Sequence, residues 1–201
     1  MIMNSIKGSI LGMAMVLIAG LTAQTNAQSP VSFGLKGGFT IANLAGEDFD
    51  ADARFGLTAG AMIDISLPVV PFGVESGIYY TQKGARASDG FSGDVDLDYV
   101  EVPVLAKFRL GPPGPITPHL VAGPYVSFNI NAESETGDIS DDINSTEIGG
   151  AIGVGIDFNL GVTKLNARAQ YGYGFTDVFK NAADGNGGKN AALSVTAGIW
   201  F

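Results

Sequence analysis

The sequence predicts an all-β fold, an eight-stranded antiparallel up-and-down transmembrane β-barrel, and three observations support this fold class. Apolar and polar residues alternate with a period of two in one segment after another, which is typical of strands with two chemically different faces. The connectors between these segments are alternately short and long, as in membrane barrels. The polar face is rich in glycine, which weakens a strand and therefore indicates close packing.

The composition excludes several classes of protein. The chain has 201 residues, of which 46% are hydrophobic and only 15% charged, so it is oily for a soluble protein and far from disordered. It contains no Cys, which rules out disulfides, thiolate metal sites and a lipid-modified N-terminal cysteine. The formal net charge of −9 argues against a nucleic-acid partner, because phosphate binding requires a basic stripe.

Residues 1–27 have the pattern of a cleaved signal peptide. Lys7 provides a positive start, residues 10–21 are mostly apolar, and Thr25 and Ala27 place small residues before the cleavage site. The apolar stretch is shorter than the roughly 20 residues that a membrane-spanning helix needs. We therefore expect an exported protein in which residues 28–201 form one outer-membrane β-barrel domain.

The alternation beyond residue 28 defines eight strands. In the first, Phe33, Leu35 and Ile41 face one way, whereas Lys36 and Thr40 face the other. Each later strand likewise has an oily face and a polar face, as in an antiparallel sheet between two different environments. We expect strands near residues 31–43, 54–67, 72–84, 95–110, 118–131, 146–159, 163–176 and 190–201.

The connectors indicate that the two rims of the barrel differ. The short connectors are residues 67–71, 111–117 and 159–162, and the longer, polar ones are residues 45–53, 85–94, 132–145 and 177–189. Transmembrane barrels have short periplasmic turns and longer extracellular loops. Both termini are therefore predicted on the periplasmic side.

A soluble eight-stranded barrel such as a lipocalin would show the same alternation turned inside out. Glycine on the inner face argues for the membrane barrel, because a narrow lumen needs room for large side chains such as Tyr125 and Arg168. The aromatic residues of the oily face also sort by strand direction into two membrane girdles. The girdle at the periplasmic ends contains Phe33, Phe72, Phe108, Phe158 and Phe201, and the girdle toward the loop ends contains Phe39, Phe55, Tyr80, Phe128 and Tyr173.

Several motifs together resemble a known family. They are YYTQKG at residues 79–84, LDYVEVP at 97–103, AGPY at 122–125, GLKGG at 34–38 and the terminal Phe201. Their order and spacing are similar to those of the outer-membrane β-barrel domain family that includes PorT and is common in Bacteroidota. The resemblance implies a small barrel of the OmpA and OmpX type in the cell outer membrane, mostly of unassigned role. It also implies that the barrel-assembly machinery reads the C-terminal Phe201.

The polar face carries charged residues that we expect to pair between strands and plug the lumen. A buried charge is costly unless it is paired, and here bases and acids nearly balance. Eight strands leave little free bore, so a plug is favoured over the alternative, a selectivity filter in a small pore. The predicted ion-pair network consists of Lys36, Asp64, Glu75, Lys83, Glu101, Lys107, Arg109, Asp157 and Arg168.

The sequence shows no catalytic constellation and no cofactor motif. His119, the only histidine, falls near the predicted periplasmic end of the fifth strand, and we interpret it as a rim residue. Metal-binding spacing such as H-E-x-x-H is missing, and GNGGKN at residues 185–190 lacks the full phosphate-loop pattern, so we interpret it as a flexible loop tip. We expect neither an enzyme nor a cofactor.

Acidic residues cluster toward the loops. Asp94, Asp96 and Asp98 share parity with lipid-facing valines, which indicates that the fourth strand rises above the bilayer there. Acidic side chains of the third long loop could hold divalent cations, but the EF-hand pattern is not met and a solvated loop is favoured. These loop residues are Glu133, Glu135, Asp138, Asp141 and Asp142.

The sequence therefore favours a small outer-membrane barrel with a plugged lumen and a structural or interaction role for its surface loops. Two alternatives remain: an accessory component of a protein secretion system, as in PorT, and a narrow porin-like diffusion channel. The expected partners are outer-membrane lipid, the barrel-assembly machinery and other envelope proteins.

The signal-peptide interpretation makes a direct prediction. We expect protein extracted from the outer membrane to begin at Gln28, because cleavage follows the small residue Ala27. Intact-mass spectrometry of the purified protein measures this. A mass that still includes residues 1–27 would contradict the prediction.

Overall fold

The structure of the chain, a computed structural model, describes residues 31–45, 52–67, 70–86, 94–112, 114–134, 137–180 and 187–201. The predicted signal peptide at residues 1–27 lies outside the described residues, as do residues 185 and 186 of the GNGGKN segment. Lys189 and Asn190 of that segment belong to the strand Lys189–Trp200, so the flexible-tip interpretation is wrong for them. In the described part of the chain, no helix is long and apolar enough to cross a membrane.

The described residues form strands whose positions follow the sequence pattern closely. They are β1 Val31–Ala45, β2 Asp52–Ser66, β3 Phe72–Arg86, β4 Val95–Arg109, β5 Ile116–Ser134, β6 Gly137–Asp138, β7 Thr146–Asn159, β8 Lys164–Gly174 and β9 Lys189–Trp200. The eight long strands are the eight predicted ones. The two-residue β6 is an addition, because it pairs with the end of β5 inside the third long connector.

The sheet closes on itself. Neighbouring strands follow the order β4-β3-β2-β1-β9-β8-β7-β5, and a further pairing of β4 with β5 completes the ring. The first and last strands pair from Gly34 opposite Trp200 to Ala45 opposite Lys189. Closure leaves no free edge between the long strands, which is the condition for a sheet to cross a membrane. The predicted eight-stranded antiparallel barrel is confirmed.

The two faces of the wall differ as the alternation predicts. On β3, Val74 is 43% exposed and Ile78 is 56% exposed, whereas Glu75 between them is 1% exposed. The outer surface is therefore apolar and the inner surface carries the charged side chains. A soluble barrel would have the opposite arrangement, so the outer wall matches hydrocarbon and not water.

The predicted girdle residues lie on the outer wall. Eight of the ten are exposed, while Phe108 and Tyr173 are half-buried. At the short-turn end, the rings of Phe72 and Phe108 have centroids 4.8 Å apart, and toward the long loops those of Phe39 and Phe55 are 5.2 Å apart. These two ring pairs lie toward opposite ends of the barrel, and the assignment of all ten residues to membrane girdles stays a prediction.

Glycines on the inner wall make room for large neighbours. A Cβ added to Gly77 would lie 2.8 Å from the hydroxyl of Tyr79 and 2.5 Å from the carbonyl oxygen of Ala61. A Cβ added to Gly149 would overlap the ring of Tyr125. The packing expected for Tyr125 is therefore found, and the glycines set the shape of the lumen.

An apolar cluster fills the long-loop end of the lumen, and we call it the apolar cap. Two loop segments, residues 137–145 and 175–180, contribute to it and are held together by hydrogen bonds from Asn144 N to Val178 O at 2.7 Å and from Lys180 N to Asp142 O at 2.9 Å. The buried members of the cap are Leu44, Ala85, Val95, Leu97, Tyr99, Ala132, Ile143 and Val178, with Ile139 and Phe179 packed against them.

The glycine packing predicts a contrast between two substitutions, one in β3 and one in β1. Gly77→Ala places a methyl group against a backbone oxygen in the lumen, and such overpacking typically costs about 1–3 kcal/mol. Gly37→Ala is the matched control, because its Cβ would meet nothing closer than Thr58 O at 3.6 Å. We expect only the lumen substitution to lower the free energy of unfolding, measured by urea titration from lipid vesicles.

Equal losses of stability in the two variants would show that steric crowding inside the barrel does not explain the inner-wall glycines.

Candidate functional site: the charged lumen

The nine charged residues predicted on the polar face all point into the lumen and all take part in ion pairs. The structure adds a tenth, Glu147 of β7, which pairs with Lys83. We call these ten residues the lumen network. It divides into a short-turn cluster of Lys36, Asp64, Glu75, Lys107, Arg109, Asp157 and Arg168, and a loop-side cluster of Lys83, Glu101 and Glu147.

Lys107 lies at the centre of the short-turn cluster. Its ammonium is 3.0 Å from Asp64 Oδ2, 3.0 Å from Asp157 Oδ2 and 3.6 Å from Glu75 Oε2, and its side chain is 1% exposed. Arg109 reinforces the rim side of this group by donating to Asp64 at 2.6 and 2.8 Å. Four strands, β2, β3, β4 and β7, are thus joined through side chains across the bore.

Arg168 and Glu75 form a two-pronged ion pair across the barrel. Arg168 Nη1 donates to Glu75 Oε1 and Nη2 to Oε2, each at 2.5 Å, and both side chains are essentially buried. The planar guanidinium matches the carboxylate in geometry, which makes such a pair stronger than a single contact. Gly155 of β7 lies opposite Arg168 on one side and opposite His119 of β5 on the other, and a Cβ there would overlap the His119 ring, so this glycine makes room for the histidine.

The rim position expected for His119 is wrong. The ring is 1% exposed and lies inside the lumen, where Nε2 is 3.3 Å from Arg168 Nη2 and Nδ1 is 3.5 Å from Asp157 Oδ2. Because a guanidinium only donates, Nε2 accepts and the ring proton resides on Nδ1, toward the carboxylate. β5 begins at Ile116 and not at the expected residue 118, so His119 lies deeper in the strand than predicted.

Lys83 lies at the centre of the loop-side cluster. Its ammonium is 2.9 Å from Glu101 Oε2 and 2.9 Å from Glu147 Oε1. Tyr125 donates to Glu147 at 2.7 Å, and Asn190 also donates to this carboxylate. The lysine also lies 4.7 Å from the centre of the Tyr125 ring, so each charge of the cluster has polar or aromatic neighbours.

Glu147 is the partner that the sequence analysis missed. It has the same parity as Asp157, which the sequence analysis places on the polar face, and it lies within the predicted strand 146–159. The alternation of inward and outward residues along this strand is therefore sufficient to predict that Glu147 faces the lumen. With Glu147 included, the network contains five cations and five carboxylates, so the charges within this network balance.

The acidic residues at the start of β4 have arginine partners that the sequence analysis did not identify. Arg86 Nη1 donates to Asp94 at 2.7 Å and to Asp96 at 3.2 Å, and Arg54 Nε is 2.7 Å from Asp96. A shift in the β4–β5 register next to Asp98 marks the same end of the barrel. These carboxylates therefore form ion pairs where β3 and β4 approach the loops.

The idea of a cation site in the third long loop gains no support from the described residues. Glu133, Asp141 and Asp142 are exposed, and within the described ranges no group of three or more His, Cys, Asp or Glu side chains is placed to hold a metal. Glu135 lies outside the described residues.

The closed ring of eight long strands, with an apolar outer wall and a polar inner wall, defines a small outer-membrane β-barrel protein. The family described as outer membrane protein beta-barrel domain matches residues 22–180, and the chain belongs to this family. The family and the outer-membrane localisation predicted from the sequence are thereby confirmed.

Solved structures of outer-membrane proteins have the same fold. Neisserial surface protein A (NspA) is similar with a TM-score of 0.56 and 16% sequence identity, over 86% of this chain and 96% of that chain. A major outer membrane protein from Thermus thermophilus is similar with a TM-score of 0.55 and 16% identity, over 86% of this chain and 99% of that chain. At these identities the likeness concerns the fold alone. A comparison with curated proteins finds no match.

The loop-side cluster predicts a large effect from a single substitution. Lys83→Met leaves Glu101 and Glu147 without their shared ammonium in a buried position, and breaking a buried pair in this way typically costs about 3–5 kcal/mol. Urea unfolding from lipid vesicles measures the loss.

Arg86→Met is the matched control, because Arg86 also bridges two carboxylates but is 41% exposed. Exposed pairs contribute about 0–1 kcal/mol. A loss for Lys83→Met no larger than that of the control would contradict the importance assigned to the buried pairing.

Proposed function

We propose that this protein is a closed outer-membrane barrel that acts through its long-loop end, in a structural or interaction role, and not by passing solutes. The observation that supports this proposal best is the lumen network, which crosses the bore on two levels with balanced charge. An eight-stranded barrel has an interior just wide enough for side chains, and here paired charges occupy it.

Displacing the network would be costly for any passing solute. An ion would have to separate Arg168 from Glu75 or Lys83 from its two carboxylates, and each separation leaves a buried charge unpaired. A cavity lies in the middle of the lumen, between the two charged clusters, and we call it the mid-lumen cavity. Its volume is only about 30 Å³, which is room for roughly two water molecules. We therefore expect no continuous water-filled path of the kind found in large porins.

The apolar cap supports the second half of the proposal. It packs the loop segments 137–145 and 175–180 onto the strand ends, and Asn144 ties them together by donating to Asp177 O at 2.7 Å. Segments held in this way present a fixed surface to a partner, so less ordering entropy is lost on binding. We propose that other envelope proteins bind at this surface.

Two further partners follow from the outer wall and the C terminus. The apolar exterior is in contact with outer-membrane lipid. Phe201 is 42% exposed on the outer wall, and its N–H donates to Phe33 O at 2.7 Å, so the terminal aromatic ring stays accessible at the short-turn end. We propose that the barrel-assembly machinery recognises this end. No nucleic-acid partner is proposed, given the net charge of −9.

The alternatives remain distinguishable. A narrow diffusion channel is favoured by one observation, the mid-lumen cavity, and a role in a secretion system rests on the resemblance to PorT. No enzymatic activity is proposed, because the ring nitrogens of His119 face a guanidinium and a carboxylate. Copurification of a large export complex would favour the secretion role over the general interaction role.

The closed-lumen proposal predicts electrically silent barrels. In planar bilayers we expect the purified protein to give no steady, reproducible conductance, because the lumen network stays paired. Folding is checked by the shift in gel mobility on heating, and a porin inserted in the same bilayers serves as the positive control. Stable unitary steps from the folded protein would overturn the proposal in favour of the channel.

The interaction role predicts partners that depend on the loop surface. Asp141→Ala combined with Asp142→Ala alters exposed side chains and leaves Ile143 of the apolar cap in place. We expect crosslinked outer membranes to yield specific partners with the wild-type protein and at least several-fold less of them with this variant. Arg86→Met, at the loop end of β3, is the control for a general change of surface charge. Identical recoveries from all three proteins would contradict binding at this loop surface.

A further inference from the structure

A cavity of about 30 Å³ lies in the mid-lumen between the two charged clusters. Its wall includes Lys36 from the short-turn cluster and Glu101 from the loop-side cluster, and Thr58, Thr81 and Thr196 also line it. A cavity needs about 10–15 Å³ and two to four polar partners to hold a water molecule. This one is large enough and polar enough to hold a small hydrogen-bonding ligand.

Lys36 is a buried cation whose hydrogen-bonding capacity is not used by the described side chains. Its side chain is 7% exposed, and its only ion pair among the described residues, to Glu75 Oε1, is 3.7 Å long and beyond hydrogen-bond distance. That oxygen already accepts from Arg168 at 2.5 Å. The ammonium also lies 4.6 Å from the centre of the Tyr79 ring. Two other lining residues, Tyr79 and Gln170, have buried oxygens (Oη and Oε1) without a hydrogen-bond partner among the described residues. A buried polar group without a partner is costly, so a hydrogen-bonding ligand in the cavity would stabilise this wall.

Glu101 forms the opposite, acidic part of the wall. Its carboxylate pairs with Lys83 at 2.9 Å and accepts from Ser127 at 3.1 Å. Because a carboxylate has about four acceptor positions, it can accept further hydrogen bonds from the cavity side. Within the described residues no direct ion pair joins Lys36 to Glu101, although both line the same space.

The signs of the two walls determine which ligand fits. The short-turn cluster has four cations and three carboxylates, and the loop-side cluster has one cation and two carboxylates. An anion in the cavity would be repelled by Glu101, and a cation would be repelled by Lys36. A neutral molecule that both donates and accepts hydrogen bonds fits both walls.

We propose that the mid-lumen cavity is a water site, in which one or two water molecules accept from the Lys36 ammonium and donate to the Glu101 carboxylate. The water joins the two clusters into one hydrogen-bonded network. The positive charge of Lys36 excludes cations, and the negative charge of Glu101 excludes anions. The inference deepens the closed-lumen proposal and rests on it.

Crystals of the detergent-purified full-length protein grown in rubidium bromide test the proposal. We expect electron density within hydrogen-bond distance of Lys36 Nζ, with no anomalous signal from bromide or rubidium. An anomalous bromide or rubidium peak in the wild-type cavity would overturn the proposal, as would a cavity without density. The readout does not depend on conductance, so failure of the water site and failure of the closed lumen are distinguishable.

Two substitutions test the role of the walls. Glu101→Gln removes the acidic wall, and we expect bromide to enter beside Lys36 and give an anomalous peak. Lys36→Met, which serves if the first variant does not assemble, is expected to lose the water and admit rubidium beside Glu101. Glu133→Gln, at an exposed position of β5, is the control and should bind neither ion in the lumen. A correctly folded wall variant whose cavity takes up no ion would contradict the assignment.

Discussion

Pairing of buried charges is the interaction on which the interior of this barrel depends. Ring closure by β1 and β9 fixes how wide the bore is, and the inward parity of each strand fixes which side chains share it. Once charged residues face a space without bulk water, each needs an oppositely charged neighbour. Lys107 satisfies two aspartates from different strands, and Lys83 satisfies two glutamates. The register of the sheet is therefore tied to the electrostatics of the lumen, since a shift of one residue would move these charges to the lipid face.

The inner-wall glycines and the large polar side chains together fill the narrow lumen. Tyr125 opposes Gly149, Tyr79 opposes Gly60 and His119 opposes Gly155 in the register of neighbouring strands. In each pair one residue gives up its side chain so that the other can extend across the bore. The glycines weaken the strands individually, but closing every strand into a ring secures the backbone hydrogen bonds that would otherwise suffer.

Much of this architecture could be predicted from the sequence, because the signals involved are local. A period of two gives the strands and their faces, and parity alone assigns Lys36, Glu75 and Arg168 to the lumen. Parity predicts which face of the wall a side chain occupies but not how far along the barrel axis it lies. The rim position predicted for His119 is wrong for this reason. The apolar cap could not be predicted, since it depends on how Ile143 and Val178 from two different loops meet above the strands. The arginine partners of Asp94 and Asp96 were missed for the same reason.

The pairing of β1 with β9 has a consequence for how the molecule forms. Gly34 and Trp200 lie directly opposite each other in the paired strands although almost the whole chain separates them. Contacts of such long range are slow to form, because a large loop must close before the pair is gained. Until β1 and β9 have paired, the growing sheet has two edges whose backbone groups lack partners, because hydrocarbon cannot form hydrogen bonds with them. A partly folded chain is therefore most prone to aggregation before β1 and β9 pair, and a folding factor would have its greatest effect at this step.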